Sequence, residues 1–187
     1  TDQIDTFTEK GIRLRSGAEL DADLIVSATG LNLQLLGGLT ASVDGTRVEF
    51  ANTFNYKGMM FSDVPNLALA VGYTNASWTL KAELICRYLC RLLNHMRQTG
   101  ARQCVPRLRA ANLEAAPFLD LASGYVQRSM HMFPKQGTRI PWKLHQNYAR
   151  DIVLLQRGTV EDGVMEFYNP EIRAALGSGI HLMIDAG

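Results

Sequence analysis

Several things are scarce in this sequence, and each scarcity excludes a class of protein. Cysteine is rare: Cys86, Cys90 and Cys104 are the only three in 187 residues. An odd count in a long chain argues against a disulfide scaffold and for a reducing compartment, so a cytoplasmic location is expected. Net charge is nearly absent at +1, which gives no long-range field to draw nucleic acid or an anionic membrane. No apolar run approaches the roughly 18 residues of a membrane span. The first residues, Thr1 to Asp5, lack the basic start and apolar stretch of a signal peptide. Catalytic signatures are missing too. There is no Gly-x-Gly-x-x-Gly behind a strand, no phosphate-binding Gly-x-x-x-x-Gly-Lys-Ser/Thr, no His-Glu-x-x-His and no Gly-x-Ser-x-Gly. The four histidines, His95, His131, His145 and His181, are scattered, and no triad shows in their neighbourhoods. No cluster of close-spaced ligands suggests a metal.

What remains is the composition of a soluble globular protein, with 47% apolar and 20% charged residues. The first thirty residues read as a short β-meander. Ile4 to Thr8 alternates, turns follow at Lys10-Gly11 and Ser16-Gly17, and Leu24 to Ala28 forms an apolar run stopped by Thr29-Gly30. Such a run suits a central strand covered on both faces. Residues 31 to 65 look irregular apart from a hairpin signal at Asp44-Gly45. Asn66 to Gly72 then repeats the theme of a buried strand ending at glycine.

The best helix follows. Leu80, Leu84, Ile85, Tyr88, Leu89, Leu92, Leu93 and Met96 recur at spacings of three and four and form one apolar face. Lys81, Arg87, Arg91 and Asn94 are assigned to the opposite face, with Glu83 and Arg87 as a supporting pair. Cys86 and Cys90 read as small apolar residues on a packed face, and Gly100 as the stop. Beyond Arg102 the pattern weakens. Residues 110 to 142 carry many breakers, a helix is expected over Trp142–Arg157, a turn at Glu161-Asp162-Gly163, and a poorly ordered tail over the last dozen residues.

The most informative unit is strand, glycine, turn and helix from Leu67 to Met96. A strand feeding a helix through a polar turn leaves main-chain N–H groups free at the strand's carboxyl edge, where open α/β sheets bind ligands. Asn75 and Ser77 can each cap the helix, whose dipole attracts negative charge to its first turn. A plain capped helix without a ligand fits the same residues.

Four segments resemble one family. Asp23-Leu-Ile-Val-Ser-Ala-Thr-Gly30 is similar to the Ala-Thr-Gly motif of class B flavoprotein monooxygenases, which include the Baeyer–Villiger and flavin-containing monooxygenases. Tyr56-Lys-Gly-Met-Met-Phe-Ser-Asp-Val-Pro-Asn-Leu67, Gly72-Tyr-Thr-Asn-Ala-Ser-Trp-Thr-Leu-Lys-Ala-Glu-Leu84 and Gly124-Tyr-Val-Gln-Arg-Ser129 also resemble it. Phe133-Pro-Lys-Gln-Gly137 followed by Pro141-Trp142 is similar to the branch containing the thioamide-activating enzymes. The likeness runs from the first residue to about Phe167.

The resemblance implies an α/β fold: a fragment of a two-dinucleotide-binding-domain flavoprotein, with a short β-meander, a strand–helix unit and an irregular C-terminal region. Residues 1–30 would end the NADPH-binding domain, 31–100 would close the FAD-binding domain, and 101–187 would be a C-terminal extension. The implied cofactors are FAD and NADPH, and the implied substrates are small-molecule ketones or sulfides that receive oxygen. Gly72, Thr74, Asn75, Ala76, Ser77 and Thr79 would touch the flavin. Trp78 would lie by the flavin and the substrate pocket, ordinary core packing being its other reading. Both glycine fingerprints and the family's active-site arginine belong upstream, so no catalytic residue is assigned, and the chain alone is expected neither to retain FAD nor to oxidise NADPH. Strands without neighbours also make self-association an expectation. Two other readings stand beside this one. A disulfide reductase would need a redox cysteine pair that Cys86 and Cys90 do not supply. A non-catalytic ligand-binding or interaction module would lack the two upstream fingerprints.

Overall fold

A computed structural model of the protein describes residues 2–109, 112–169 and 181–185. The chain divides into two compact units, residues 1–31 and 32–187.

The first unit is the expected meander. Strands β1 (Ile4–Thr8), β2 (Gly11–Leu14) and β3 (Glu19–Asp21) form one antiparallel sheet in sequence order. Gly11 is required where β2 meets β3, because a Cβ there would fall 1.9 Å from the Leu20 carbonyl oxygen. The apolar run after it behaves differently from its reading. Leu24 to Ala28 forms no strand and is exposed throughout, Leu24 and Val26 at 80% and 78%. A buried strand is made by its neighbours, and among the described residues none offers this segment a ladder.

The second unit opens with a 3-10 turn at Leu35–Gly38, then β4 (Thr40–Val43) and β5 (Thr46–Arg47). Asp44 and Gly45 join these strands with φ of 52° and 77°, the pair of left-handed residues that a tight hairpin demands. β6 (Asn55–Tyr56) and β7 (Met60–Phe61) form a second hairpin, which the sequence reading left irregular. Asn66 to Gly72 is not a strand either. It makes one bridge, Ala68 to Met60, and is only half buried.

Helix α1 (Trp78–Thr99) then runs 22 residues to Gly100, whose φ of 71° ends it in the left-handed region. Leu84, Ile85, Tyr88, Leu92 and Met96 are buried as the periodicity requires, and Glu83 pairs with Arg87 at 2.8 Å. Three assignments on this helix are corrected. Lys81 is buried, Leu93 is 63% exposed, and Cys86 and Cys90 are exposed rather than packed. Lys81 precedes Leu84, Ile85 and Tyr88 by three, four and seven residues, so it belongs to the apolar stripe by geometry.

Short elements complete the unit: β8 (Gln103–Pro106), β9 (Ala115–Pro117), α2 (Gly124–Ser129), β10 (Lys135–Gly137), α3 (Tyr148–Ile152), β11 (Met165–Tyr168) and β12 (Leu182–Asp185). All strand-to-strand pairings among the described residues are antiparallel: β8 with β11, β9 with β10, and β12 with β4. The helix expected from Trp142 starts only at Tyr148, because the Trp142 carbonyl accepts the Gly137 N–H at 2.9 Å and Gln146 takes a φ of 48°. Asn147 then caps α3 by accepting from the Arg150 N–H at 3.0 Å. The helix continues as a π-type turn over Val153–Arg157, and the Arg91 guanidinium caps it, donating to the carbonyls of Leu155 and Gln156 at 2.8 and 2.6 Å. Asp162 makes the expected turn by accepting the N–H groups of Val164 and Met165. Within the expected tail, Leu182–Asp185 is a strand, while residues 176–180, 186 and 187 lie outside the described residues.

The main core packs the buried face of α1 against Tyr56, Met59, Met60, Trp142, Leu155 and Met165, and a smaller cluster joins Ala41, Phe50, Phe61 and Val64. Each large apolar side chain so buried contributes roughly 1.5–3 kcal/mol. The chain is thus a mixture of helix and strand, as read from the sequence. No helix among the described residues is long and apolar enough to cross a membrane.

Candidate functional site

The residues leading into α1 form a site that can be built from the chain outward. Leu69 donates its N–H to the Met59 carbonyl at 2.7 Å, which anchors the segment beside the second hairpin. At Gly72 the backbone passes directly beneath the Trp78 indole, and a Cβ there would fall 1.8 Å from Cδ1. The turn from Thr74 to Ser77 is exposed, and the N–H groups of Asn75, Ala76 and Ser77 make no hydrogen bond to other described residues. No acidic residue stands in the first turn of α1, so no carboxylate competes for the positive end of its dipole.

Side-chain capping by Asn75 or Ser77 is not what the structure does. Ser77 occupies the cap position without a cap hydrogen bond, its hydroxyl pairing instead with that of Thr79 at 2.9 Å. Asn75 donates through Nδ2 to the Gln146 carbonyl at 3.2 Å. The donors are therefore left open. Ser77→Ala is expected to change stability by less than about 0.5 kcal/mol, against the ~1 kcal/mol of a true side-chain cap. Thermal unfolding of the variant checks this.

An apolar cleft of about 370 Å³ lies beside the turn. Gly72, Thr74 and Trp78 line it together with Met59, Phe61 and Phe118, and Tyr73 is the only ionisable side chain on its described wall. Trp78 is 53% exposed, so it is a wall of this cleft and not a core residue. Asn75, Ala76 and Ser77 on the turn and Thr79 in the first turn of α1 are exposed and do not line the cleft.

Behind the cleft sits a buried polar cluster that the sequence reading missed. Asp151, 1% exposed, accepts on Oδ2 from the Tyr73 hydroxyl at 2.7 Å and pairs with Lys81 Nζ at 2.9 Å. Burial pushes the Lys81 ammonium below its ordinary pKa even though Asp151 pulls the other way. Burial, reinforced by Asp151, raises the Tyr73 phenol. His145 borders a small cavity with Tyr73, Lys81 and Asp151, its Nδ1 buried with no hydrogen-bond partner among the described residues, and burial holds its pKa below the usual value. The detectable signal was Lys81 on the apolar stripe, since a buried lysine requires a buried acid. No described group of His, Cys, Asp or Glu is placed to hold a metal ion.

Comparison with known proteins gives this site a context. The chain is 53% identical over 167 residues to the FAD-containing monooxygenase EthA of Mycobacterium tuberculosis, covering 89% of this chain and 34% of that protein. It is 46% identical over 168 residues to the putative FAD-containing monooxygenase MymA of the same species, with the same coverage. A probable FAD-binding monooxygenase, AlmA of Acinetobacter baylyi, is likewise 46% identical over 168 residues, 89% of this chain and 34% of the relative. The chain thus spans about a third of the length of the curated relatives it matches. No family model matches the chain. No solved structure matches it. The likeness to flavin monooxygenases read from four short motifs holds over nine-tenths of the sequence.

Proposed function

We propose that this chain is the C-terminal part of an FAD- and NADPH-dependent monooxygenase that transfers oxygen to an uncharged ketone or sulfide. In this reading residues 1–30 end the NADPH domain, 31–100 close the FAD domain and 101–187 form a C-terminal extension. The observation that carries it is the juxtaposition of free N–H groups at the start of α1 with an apolar cleft walled by Trp78. This donor set fits the pyrimidine end of a flavin, which is anionic when reduced, and the neighbouring cleft fits an uncharged organic molecule.

When bound, the flavin supplies the redox and oxygen-transfer chemistry. The chain's own residues do the rest. Asn75, Ala76 and Ser77 present main-chain donors to the reduced ring, with Gly72, Thr74 and Thr79 shaping the turn around them. Trp78 and the apolar wall hold the substrate and keep water from the reacting centre.

The test is NADPH oxidation by the full-length, FAD-loaded polypeptide across a panel of ketones and sulfides, together with Trp78→Ala. Substrate-dependent NADPH consumption with oxygenated product supports the assignment. Trp78→Ala is expected to shift kcat/KM ratios between bulky and small substrates about tenfold, as a changed apolar pocket does, and to leave flavin reduction by NADPH nearly unchanged. Ratios that stay constant across the panel would remove Trp78 from the substrate site.

A further inference from the structure

The turn from Thr74 to Ser77 has nothing of its own to hold it. It is exposed, it contains no side-chain cap, and its N–H groups from Asn75 to Ser77 are unpartnered among the described residues. A turn so equipped would fray unless something outside it fixed its course. The fixing comes from a segment about 70 residues later in the chain. Asp151 Oδ2 receives Tyr73 Oη at 2.7 Å and Lys81 Nζ at 2.9 Å. Those two residues stand immediately before the turn and one helical turn after it, so one buried carboxylate ties down both flanks. Gln146 ties down the middle. Its Oε1 accepts the Thr74 N–H and its main-chain oxygen accepts Asn75 Nδ2, both at 3.2 Å.

Gln146 makes both contacts from a left-handed backbone, φ 48°, a conformation that is strained for a residue with a Cβ. It is this bend that turns both oxygens of one residue toward the same turn. The division of labour is chemical. Gln146 and Asp151 contribute acceptors only, and they take the N–H of Thr74 and side-chain donors. The N–H groups of Asn75, Ala76 and Ser77 are left without an acceptor among the described residues. Donors oriented in advance stabilise a developing charge without reorganising.

We propose that Gln146 and Asp151 are positioning residues for the turn that carries the flavin. The geometry of the strut stands on the contacts above, while its purpose rests on the flavin reading given under Proposed function.

The experiment uses the full-length polypeptide with FAD and compares wild type with Gln146→Met, Gln146→Glu, Tyr73→Phe and Ala76→Asp. Hydrogen exchange across residues 73–81 reads the strut, and FAD affinity with the flavin reduction potential reads its purpose. Gln146→Met and Tyr73→Phe each remove one hydrogen bond, so exchange is expected to rise about threefold to tenfold. Gln146→Glu keeps the acceptor and is expected to keep the protection. Ala76→Asp places a negative charge on the donors and should weaken FAD binding whether or not a strut exists. Faster exchange in Gln146→Met, with weaker FAD binding and a lower potential, supports the proposal. Unchanged exchange in both Gln146→Met and Tyr73→Phe overturns it. Faster exchange with unaltered flavin properties also overturns it, and Ala76→Asp then separates the causes. If that variant weakens FAD binding, the strut idea has failed and the flavin reading survives. If it does not, the flavin reading has failed as well.

Discussion

Replacing Asp162 by alanine is expected to destabilise the protein by about 3–5 kcal/mol, the cost of stripping the partner from a buried charge. The charge left behind is Lys57, whose side chain is 2% exposed and whose Nζ lies 2.8 Å from Asp162 Oδ2. Lys57 is held in the β6–β7 hairpin with a φ of 51°, and its ammonium also meets the Tyr88 hydroxyl at 3.1 Å. Tyr56 Oη donates to the same Asp162 oxygen at 2.7 Å and lies 3.1 Å from Tyr88 Oη. The cluster thus joins the hairpin, the middle of α1 and the turn before β11, and an uncompensated lysine would reach all three. At a few degrees per kcal/mol for a chain of this size, the midpoint of thermal unfolding should fall on the order of 10 °C. The double variant Lys57→Met with Asp162→Leu removes both charges and should recover most of the loss, since isolated burial of the cation is the damaging event. If Asp162→Ala unfolds with an unchanged midpoint, the pair contributes nothing.

The same cluster sets an acid limit. Burial alone would raise the Asp162 carboxyl, but hydrogen bonds from Lys57 and Tyr56 outweigh it and hold the group below its ordinary value of 3.8. A depressed carboxylate contributes stability that is fully present above the unfolded value. That contribution is lost as pH falls through the lower, folded one. Acid unfolding below about pH 4 should therefore be steeper in the wild type than in the charge-free double variant. His145 acts in a higher window. Its pKa is depressed by burial, so the unfolded chain takes up the proton first and stability declines as pH falls below about 6.5.

How much of this was legible in the sequence depends on whether the cause was local. The meander, the Asp44-Gly45 hairpin and α1 with its Gly100 stop were readable because turn chemistry and a 3.6-residue period are written in neighbouring positions. Leu24–Ala28 and Asn66–Gly72 were misread because an apolar run shows only that a segment could be buried, whereas a ladder needs partners elsewhere. The turn before α1 was legible from Gly72 and the helix period that follows, yet its capping was not, since Asn75 bonds to Gln146 across 71 residues. Lys81 and Asp151 illustrate the same boundary. The reading put Lys81 on the polar face although its spacing from Leu84, Ile85 and Tyr88 marks the buried stripe, and its acid partner, 70 residues on, had no local mark.

On the monooxygenase reading proposed above, Gly72→Ala in the full-length, FAD-loaded polypeptide is expected to lower the rate of oxygen transfer on the order of 100-fold while leaving the fold intact, because it displaces the Trp78 wall of the apolar cleft. The backbone at Gly72 does not lie in the left-handed region, so alanine adds no φ strain, and the conflict is one of space alone. An added Cβ would meet Trp78 at 1.8 Å from Cδ1, 2.0 Å from Cγ and 2.3 Å from Nε1. Those separations leave the indole no choice but to move by more than an ångström. Trp78 is half exposed, so it can swing outward at little cost in stability, whereas a buried ring would have to break the core. The outward swing opens the 370 Å³ cleft beside the α1 donors and relaxes the placement of whatever sits there. A displacement of that size near the reacting atoms costs about two orders of magnitude in rate. The cycle with Trp78→Ala separates this mechanism from general damage. Once the indole is gone the Cβ has nothing to strike, so Gly72→Ala should have almost no further effect in the Trp78→Ala background. Steady-state oxygenation rates and thermal midpoints for the four proteins measure it. Additive losses, or a midpoint that drops with the rate, would place the role of Gly72 in folding instead of in the shape of the site.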